Sequence, residues 1–195
     1  MQAPARRVGL FFGSFNPVHI GHLIIANFMA TRTDLEEVWF VVSPHNPLKP
    51  KQSLARDHDR LHLVRLAIDD NDKLRASDIE FGLPKPSYTI DTLAYLKEKH
   101  PQHQFCLIMG GDNLATFPKW KHHDLILKDY PIYVYDRPQA APGDLSDHPQ
   151  VHCYDAPQIH LSATYVRQAI RDGFSVQYLV PEAVYQYLQT SNLYR

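Results

Sequence analysis

The chain has 195 residues, 44% of them hydrophobic, which is enough to build one globular domain with a sizeable core. Its formal net charge of −1 gives no general attraction to nucleic acid or to a membrane surface, so any anion site has to be a local cluster. No run approaches membrane-spanning length, the N-terminus does not resemble a signal peptide, and two cysteines fit a reducing cytosol. We therefore expect a cytoplasmic protein that binds neither nucleic acid nor membrane.

The first organised stretch runs from Val8 to Leu23. Val8 to Phe12 is a short apolar run that predicts a buried strand of the parallel type. Gly13-Ser14-Phe15-Asn16-Pro17 has the composition of a tight turn, and helical spacing of apolar residues begins at Val18. A strand, a tight loop and a helix N-terminus form the place where open parallel sheets bind phosphate, because unpaired amides point outward there.

Two histidines occupy the start of this predicted helix. His19 and His22 are three residues apart and should project from one face at an exposed helix start. Gly21 between them allows a ligand to approach the backbone closely. Two ordinary surface histidines are the alternative, but their place after a Gly-Ser loop favours a phosphate site. The glycine pattern is neither the dinucleotide fingerprint nor the Gly-Lys-Ser/Thr phosphate loop.

The next segments continue the alternation of strand and helix. Val38 to Val42 predicts a second buried strand, and it leads into a loop rich in proline and lysine over Pro44 to Ser53. We expect this loop to close over a nucleotide, although an ordinary solvated connection would have the same composition. Leu54 to Ile68 predicts an amphipathic helix with Arg60 and Arg65 on its solvated face, and a short third strand lies within Leu74 to Phe81.

A second helix start follows at Pro86 to Leu93. Ser87 or Thr89 is the expected N-cap, and the helix should end at His100 before Pro101. Phe105 to Met109 predicts a fourth strand, followed at once by Gly110-Gly111-Asp112-Asn113. A glycine pair allows close backbone approach and a carboxylate suits ribose hydroxyls, although the same letters also form ordinary turns.

The last third contains two short strands and a further helix start. Ile132 to Tyr135 and Val151 to Tyr154 predict the strands, and Gln139 to Pro149 predicts an exposed loop between them. Ser162 should cap a helix that runs to Asp172 and stops at Gly173. Hydroxyls, first-turn amides and Arg167 would form an anion cradle there, while a capped helix with a surface arginine is the alternative.

The alternation of elements predicts a doubly wound α/β fold with a mostly parallel sheet. We expect residues 1–195 to form a single domain. Its C-terminal part, about 155–195, should form a small helical cap with a last helix from Pro181 to Leu188. None of the twelve histidines shows a spacing typical of a zinc site, so no dedicated metal site is expected.

Five motifs, in order, resemble those of the bacterial nicotinate-nucleotide adenylyltransferases, a family of the His-x-Gly-His nucleotidyltransferase superfamily. The first is Gly13 to Leu23 with its His-x-Gly-His core, and the second is the Pro- and Lys-bearing loop after Val42. The others are Ser-Tyr-Thr-x-Asp-Thr-Leu from Ser87, Gly-Gly-Asp-Asn with the later Trp120, and the Leu-Ser-x-Thr-x-x-Arg run from Leu161. Family members usually have Ala at the position of Gly111 and Ile at that of Leu161.

The resemblance implies a Rossmann-like nucleotidyltransferase fold and an adenylyl transfer from ATP to nicotinate mononucleotide in NAD biosynthesis. By resemblance, His19, His22 and Arg167 are catalytic. The implied ATP-binding residues are Gly13, Ser14, Phe15, His19, His22, Lys49, Ser162, Thr164 and Arg167, with His45 as a further candidate; the implied mononucleotide-binding residues are Tyr88, Thr89, Gly110, Asp112, Trp120 and Arg137. Trp120 would stack on the pyridine ring, and Mg²⁺ would arrive on ATP, held mainly by phosphate oxygens and water.

Three alternatives stay open from the sequence. Adenylyltransferases of the same superfamily that act on nicotinamide mononucleotide or phosphopantetheine would share the histidine pair. A nucleotide sensor without turnover would also bind ATP, although the intact pair argues against it. Whether the protein is a monomer or a homodimer does not follow from the sequence.

Overall fold

The fold was analysed in a computed structural model that describes residues 5–44, 54–135 and 145–195. Six strands alternate with helices along the chain. The strands are β1 Arg6–Gly13, β2 Glu37–Val42, β3 Leu74–Ser77, β4 His103–Gly110, β5 Ile132–Tyr135 and β6 Val151–Tyr154. The α-helices are α1 Ile20–Arg32, α2 Asp57–Ile68, α3 Thr89–Lys99, α4 Gly111–Thr116, α5 His123–Asp129, α6 Ala163–Arg171 and α7 Glu182–Thr190; 3₁₀ helices span Ile79–Gly82 and Phe117–Lys119.

The six strands form one sheet in the order β3-β2-β1-β4-β5-β6, and all five pairings are parallel. The chain therefore winds outward from β1 in one direction and from β4 in the other. In sheets of this kind, ligands bind beyond the carboxyl ends of the strands at the point of reversal, which here lies between β1 and β4. The predicted doubly wound α/β fold, Rossmann-like in its strand order, is confirmed.

Apolar runs become strands here because both faces of the sheet are covered. Successive residues of a strand point to opposite faces, so a strand buried on both sides needs an unbroken apolar sequence. In β2, Phe40 and Val42 belong to one core, whereas Trp39 and Val41 belong to the other. Helices α1, α2, α6 and α7 contribute to the first core, and α3, α4 and α5 to the second.

Three helix ends lie at the residues that the sequence predicted for them. The Ser162 hydroxyl accepts a hydrogen bond from the Tyr165 amide at 3.1 Å, as an N-cap should. Gly173 takes a positive φ of 77° just after α6, a conformation that glycine adopts without strain. His100 is the C-cap of α3 directly before Pro101.

One boundary prediction was wrong, and two short helices were not predicted. The N-cap of α3 is Tyr88, which lies between the two expected candidates, Ser87 and Thr89. The segment after β4 folds into α4, and α5 follows it. Both helices are short, six and seven residues, so an apolar period has too little length in which to show itself.

Among the described residues, no helix combines the length and the apolar character needed to cross a bilayer. Cys106 is buried and Cys153 is exposed, and neither forms a disulfide within the described residues. The predicted division of residues 1–195 into one domain with a helical cap from about residue 155 stays a prediction.

Candidate active site

The loop between β1 and α1 lies at the carboxyl end of the sheet, beside the point of reversal. Gly13 ends β1 and accepts a hydrogen bond from the Ser43 amide at 2.9 Å, which ties this loop to the end of β2. The loop then leads to His19, which is the N-cap of α1. The first predicted motif is therefore in the place where a parallel sheet of this type binds phosphate.

The two histidines form a stacked pair. Their ring centroids are 3.7 Å apart, with 25° between the planes. The His19 backbone N–H donates to His22 Nδ1 at 3.2 Å, so His22 closes the first turn of the helix with its own side chain. Because Nδ1 accepts this bond, the proton of a neutral His22 has to be on Nε2, which makes Nε2 a hydrogen-bond donor.

The sequence suggested that His19 lies at an exposed helix start. The structure buries it instead, with only 6% of its surface accessible. Close packing explains the burial. A Cβ added to Gly21 would lie 3.1 Å from both Cε1 and Nδ1 of His19, and 3.1 Å from Cγ2 of Ile159. Gly21 is therefore needed for the position of the His19 ring as well as for backbone access.

The buried ring of Phe15 packs against His22. Its φ is +44°, and its side chain is almost fully buried between Phe11, Phe40 and His22. A Cβ on Gly13 would come within 2.7 Å of this ring. The side chain of Phe15 is thus part of the core beneath His22, so any contact of Phe15 with ATP would have to come from its backbone.

Two buried arginines bond to two carbonyls of the same loop, those of Ser14 and Asn16. Arg60 donates to the Ser14 carbonyl, and Arg167 donates from Nη1 to the Asn16 carbonyl at 2.7 Å. The C=O and N–H of a trans peptide point in opposite directions. The Phe15 amide therefore points away from Arg60.

Arg60 corrects the prediction that it lies on a solvated helix face, because its side chain is completely buried. It also donates to the Ser43 carbonyl at 3.0 Å and the Ala55 carbonyl at 3.1 Å, and it pairs with Asp57 at 2.7 Å. These bonds join the β1–α1 loop, the end of β2 and the start of α2. Arg65 is exposed, as predicted.

The start of α6 contacts the same loop through Arg167. Arg167 Nη2 donates to the Thr164 hydroxyl at 3.3 Å, and Ser162 precedes them as the N-cap. Burial lowers the pKa of the Arg167 guanidinium from its ordinary value, while the nearby Tyr194 acts in the opposite direction. The structure thus brings Arg167 against the loop that carries the histidines, with Thr164 bonded to Arg167 and Ser162 at the start of the same helix.

The predicted mononucleotide residues that the structure describes lie at the end of β4, at the starts of α3 and α4, and between α4 and α5. Tyr88 caps α3 and Thr89 is its first residue. The ammonium group of Lys121 lies 4.5 Å from the centre of the Tyr88 ring and forms a salt bridge with Asp91 at 3.0 Å. Lys121 therefore places a positive charge beside this helix start, a feature that sequence reasoning missed.

Gly110 ends β4 and caps α4, so Asp112 falls in the first turn of that helix. Trp120 ends the following 3₁₀ helix and packs on Phe117 with 5.4 Å between ring centroids. The Trp120 indole nitrogen and the Ser87 hydroxyl are buried and have no hydrogen bond with the residues that the structure describes.

Some predicted residues fall outside the described part of the chain. These are Lys49, His45 and Arg137, together with the Pro44–Ser53 loop beyond Pro44 and residues 139–144 of the Gln139–Pro149 loop. Within residues 5–44, 54–135 and 145–195, no group of three or more His, Cys, Asp or Glu side chains could hold a metal ion.

The chain resembles known proteins in sequence and in fold. A family model described as cytidylyltransferase-like matches residues 10–169. A protein of Cytophaga hutchinsonii named "probable nicotinate-nucleotide adenylyltransferase" is 52% identical over 188 residues, which are 96% of this chain and 98% of that protein. A protein of Flavobacterium johnsoniae with the same name is 49% identical over 97% of this chain and 99% of its own length. The chain belongs to the nicotinate-nucleotide adenylyltransferase family, within the cytidylyltransferase-like proteins.

Solved structures agree on the fold. The Plasmodium falciparum nicotinic acid mononucleotide adenylyltransferase complexed with NaAD superposes with a TM-score of 0.80, at 19% identity, and the match covers 97% of each chain. The same enzyme complexed with APC gives 0.79. These structures therefore share the fold of this chain, although their sequences are only 19% identical to it.

Proposed function

We propose that the protein transfers the adenylyl group of ATP to the phosphate of nicotinate mononucleotide, as the names of its relatives indicate. A phosphate oxygen of the mononucleotide attacks the α-phosphorus of ATP, and the bond to the β-phosphate oxygen breaks. The products are nicotinate adenine dinucleotide and pyrophosphate, a step of NAD biosynthesis. The stacked His19–His22 pair at the point of reversal of the sheet is the observation that supports this reaction best.

This chemistry needs no protein nucleophile. Phosphoryl-type transfer depends mostly on positioning and on stabilising negative charge, and holding two reactants in line contributes roughly 7–11 kcal/mol. His22 would donate from Nε2, with His19 beside it, to the α- and β-phosphate oxygens. Gly13, Ser14 and Phe15 would contribute backbone groups of the loop.

The start of α6 would hold the outer phosphates. Ser162, Thr164 and Arg167 would bind the β- and γ-phosphates, and Lys49 would add a further positive charge from its loop. Mg²⁺ would enter as part of the ATP substrate, bound to phosphate oxygens and water. The remaining proposed residues, Tyr88, Thr89, Gly110, Asp112, Trp120 and Arg137, would bind the mononucleotide.

The start of α3 favours an acid over an amide. A helix N-terminus offers amide donors and a partial positive charge, which suit the nicotinate carboxylate and do not suit the two N–H donors of nicotinamide. Lys121 also lies beside Tyr88, but its salt bridge with Asp91 offsets its charge, so the preference rests on the helix terminus itself. Charge-assisted hydrogen bonds contribute about 1.5–3 kcal/mol each, so two of them would give roughly 10²-fold to 10⁴-fold selectivity.

A pyrophosphate-release assay with ATP and each candidate acceptor tests the proposal. We expect kcat/KM for nicotinate mononucleotide to exceed that for nicotinamide mononucleotide by roughly 10²-fold to 10⁴-fold, with no turnover of phosphopantetheine. Trp120→Ala should raise KM for both mononucleotides in parallel, because stacking does not distinguish acid from amide. Equal kcat/KM for acid and amide would refute the substrate assignment, and nucleotide binding without pyrophosphate release would refute the enzyme.

A further inference from the structure

A buried carboxyl group connects the two halves of the proposed site. Glu80 lies in the 3₁₀ helix after β3 and is only 2% exposed. Its Oε1 accepts a hydrogen bond at 2.8 Å from the hydroxyl of Thr92, which is fully buried in α3. A carboxyl group removed from water is costly unless its partners are specific, so a residue of this type needs a reason to be here.

The second oxygen of Glu80 faces the end of β2. Oε2 is buried and has no hydrogen bond of normal geometry with the described residues, although the Ser43 side chain interacts with this carboxyl. Ser43 donates its backbone amide to the Gly13 carbonyl and accepts from Arg60 at its own carbonyl. The Glu80 carboxyl therefore lies against a residue that is bonded into the phosphate loop.

On its other side, Glu80 is hydrogen-bonded to Thr92 in the first turn of α3. The Thr92 amide donates to the Tyr88 carbonyl at 3.2 Å, and the Thr92 hydroxyl lies 3.4 Å from the same carbonyl. A threonine hydroxyl has one proton to donate. While Thr92 gives that proton to Glu80, the Tyr88 carbonyl at the N-cap accepts hydrogen bonds only from the backbone amides of Asp91 and Thr92.

We propose that Glu80 is a positioning residue that fixes the start of α3 against the end of β2 and so sets the distance between the mononucleotide subsite and the phosphate loop. This inference rests on the proposed function, because it assigns the start of α3 to the acceptor. The connection runs from Gly13 through Ser43, Glu80 and Thr92 to Tyr88. Its loss should disturb the acceptor and leave ATP binding nearly unchanged, because Arg60 and Arg167 hold the phosphate loop independently.

Substitutions at Thr92 test the connection without touching a residue of the proposed binding set. Thr92→Val keeps the shape and removes the hydroxyl, and Thr92→Ser restores it. Displacing a substrate-binding turn by a fraction of an ångström should raise KM for nicotinate mononucleotide about tenfold, with KM for ATP changed by less than about twofold. Thr92→Ser should return both constants to within about twofold of the wild type. Thr190→Val, on α7, is the matched control, since it also removes a helix hydroxyl that bonds to a backbone carbonyl.

A double variant separates positioning from folding. Thr92→Val removes one of the two hydroxyl groups that contact the Glu80 carboxyl and can destabilise the protein. Glu80→Met with Thr92→Val instead replaces both partners by apolar groups of similar shape, which is often nearly neutral for stability. We expect the double variant to melt near the wild type and to retain the raised KM for the mononucleotide. An unchanged KM in this folded variant, or equal effects on both substrates, would overturn the inference. Failure of the proposed function would instead be seen in the wild type, as an absence of pyrophosphate release.

Discussion

The histidine pair allows the two functions of one side chain to be separated by substitution. His22 Nδ1 accepts the His19 amide at 3.2 Å, and its Nε2 is the proposed donor to phosphate. An asparagine at this position places an amide oxygen near the place of Nδ1, and a glutamine places an amide nitrogen near the place of Nε2. His22→Asn therefore keeps the helix bond without the donor, His22→Gln keeps the donor without the bond, and His22→Ala loses both.

Each variant has its own expected result. Loss of one donor at developing charge costs about 10²–10³ in rate, so kcat should fall by that factor in His22→Asn and His22→Ala. His22→Gln should lose on the order of tenfold, because a misplaced donor is retained. Loss of the helix bond costs about 0.5–1.5 kcal/mol, so His22→Gln and His22→Ala should melt roughly 1–6 °C lower, at about 2–4 °C per kcal/mol for a chain of this size.

Steady-state pyrophosphate release and thermal melting together check this series. The melting temperature separates variants that keep the hydrogen bond to the His19 amide from variants that lose it. The value of kcat separates variants that keep a donor near the place of Nε2 from variants that lose it. Near-normal turnover by His22→Asn would refute the donor role of Nε2. A melting temperature of His22→Asn as low as that of His22→Ala would show that the hydrogen bond to the His19 amide does not stabilise α1.

Substitutions at Gly21, Arg60 and Glu80 provide three further predictions. Gly21→Ala should push the His19 ring by a few tenths of an ångström and lower kcat about tenfold with little effect on melting; unchanged kcat would contradict the packing role. Arg60→Met should destabilise the protein by about 3–5 kcal/mol, because the carbonyls of Ser14, Ser43 and Ala55 lose the donor that they share; urea unfolding measures this, and a loss below about 1 kcal/mol would contradict it. Burial raises the pKa of Glu80 above its ordinary value of 4.5, so the folded protein binds this proton more tightly than the unfolded chain. The stability of the wild type relative to Glu80→Gln should therefore fall as the pH rises from 4.5 through the folded pKa, and a difference that is constant with pH would argue against it.

Local sequence determined the elements that carry the site. The apolar run before Gly13, the turn residues after it and the helical period from Val18 onward are short-range signals, and each reports a preference of the backbone that holds before the chain folds. The same is true of the Ser162 cap and of Gly173, where the residue type itself satisfies a helix end. The family motifs then indicated which of these ends would bind phosphate.

The buried polar connections were decided by tertiary structure alone. Arg60 and Arg65 stand on one charged helix, and nothing in their neighbourhood in the sequence shows that only the first points into the gap between two strand ends. Glu80 looks like a surface residue for the same reason, until β2 and α3 enclose it. An ionisable side chain has no local propensity for burial, so its position follows from which segments, distant in sequence, offer it partners.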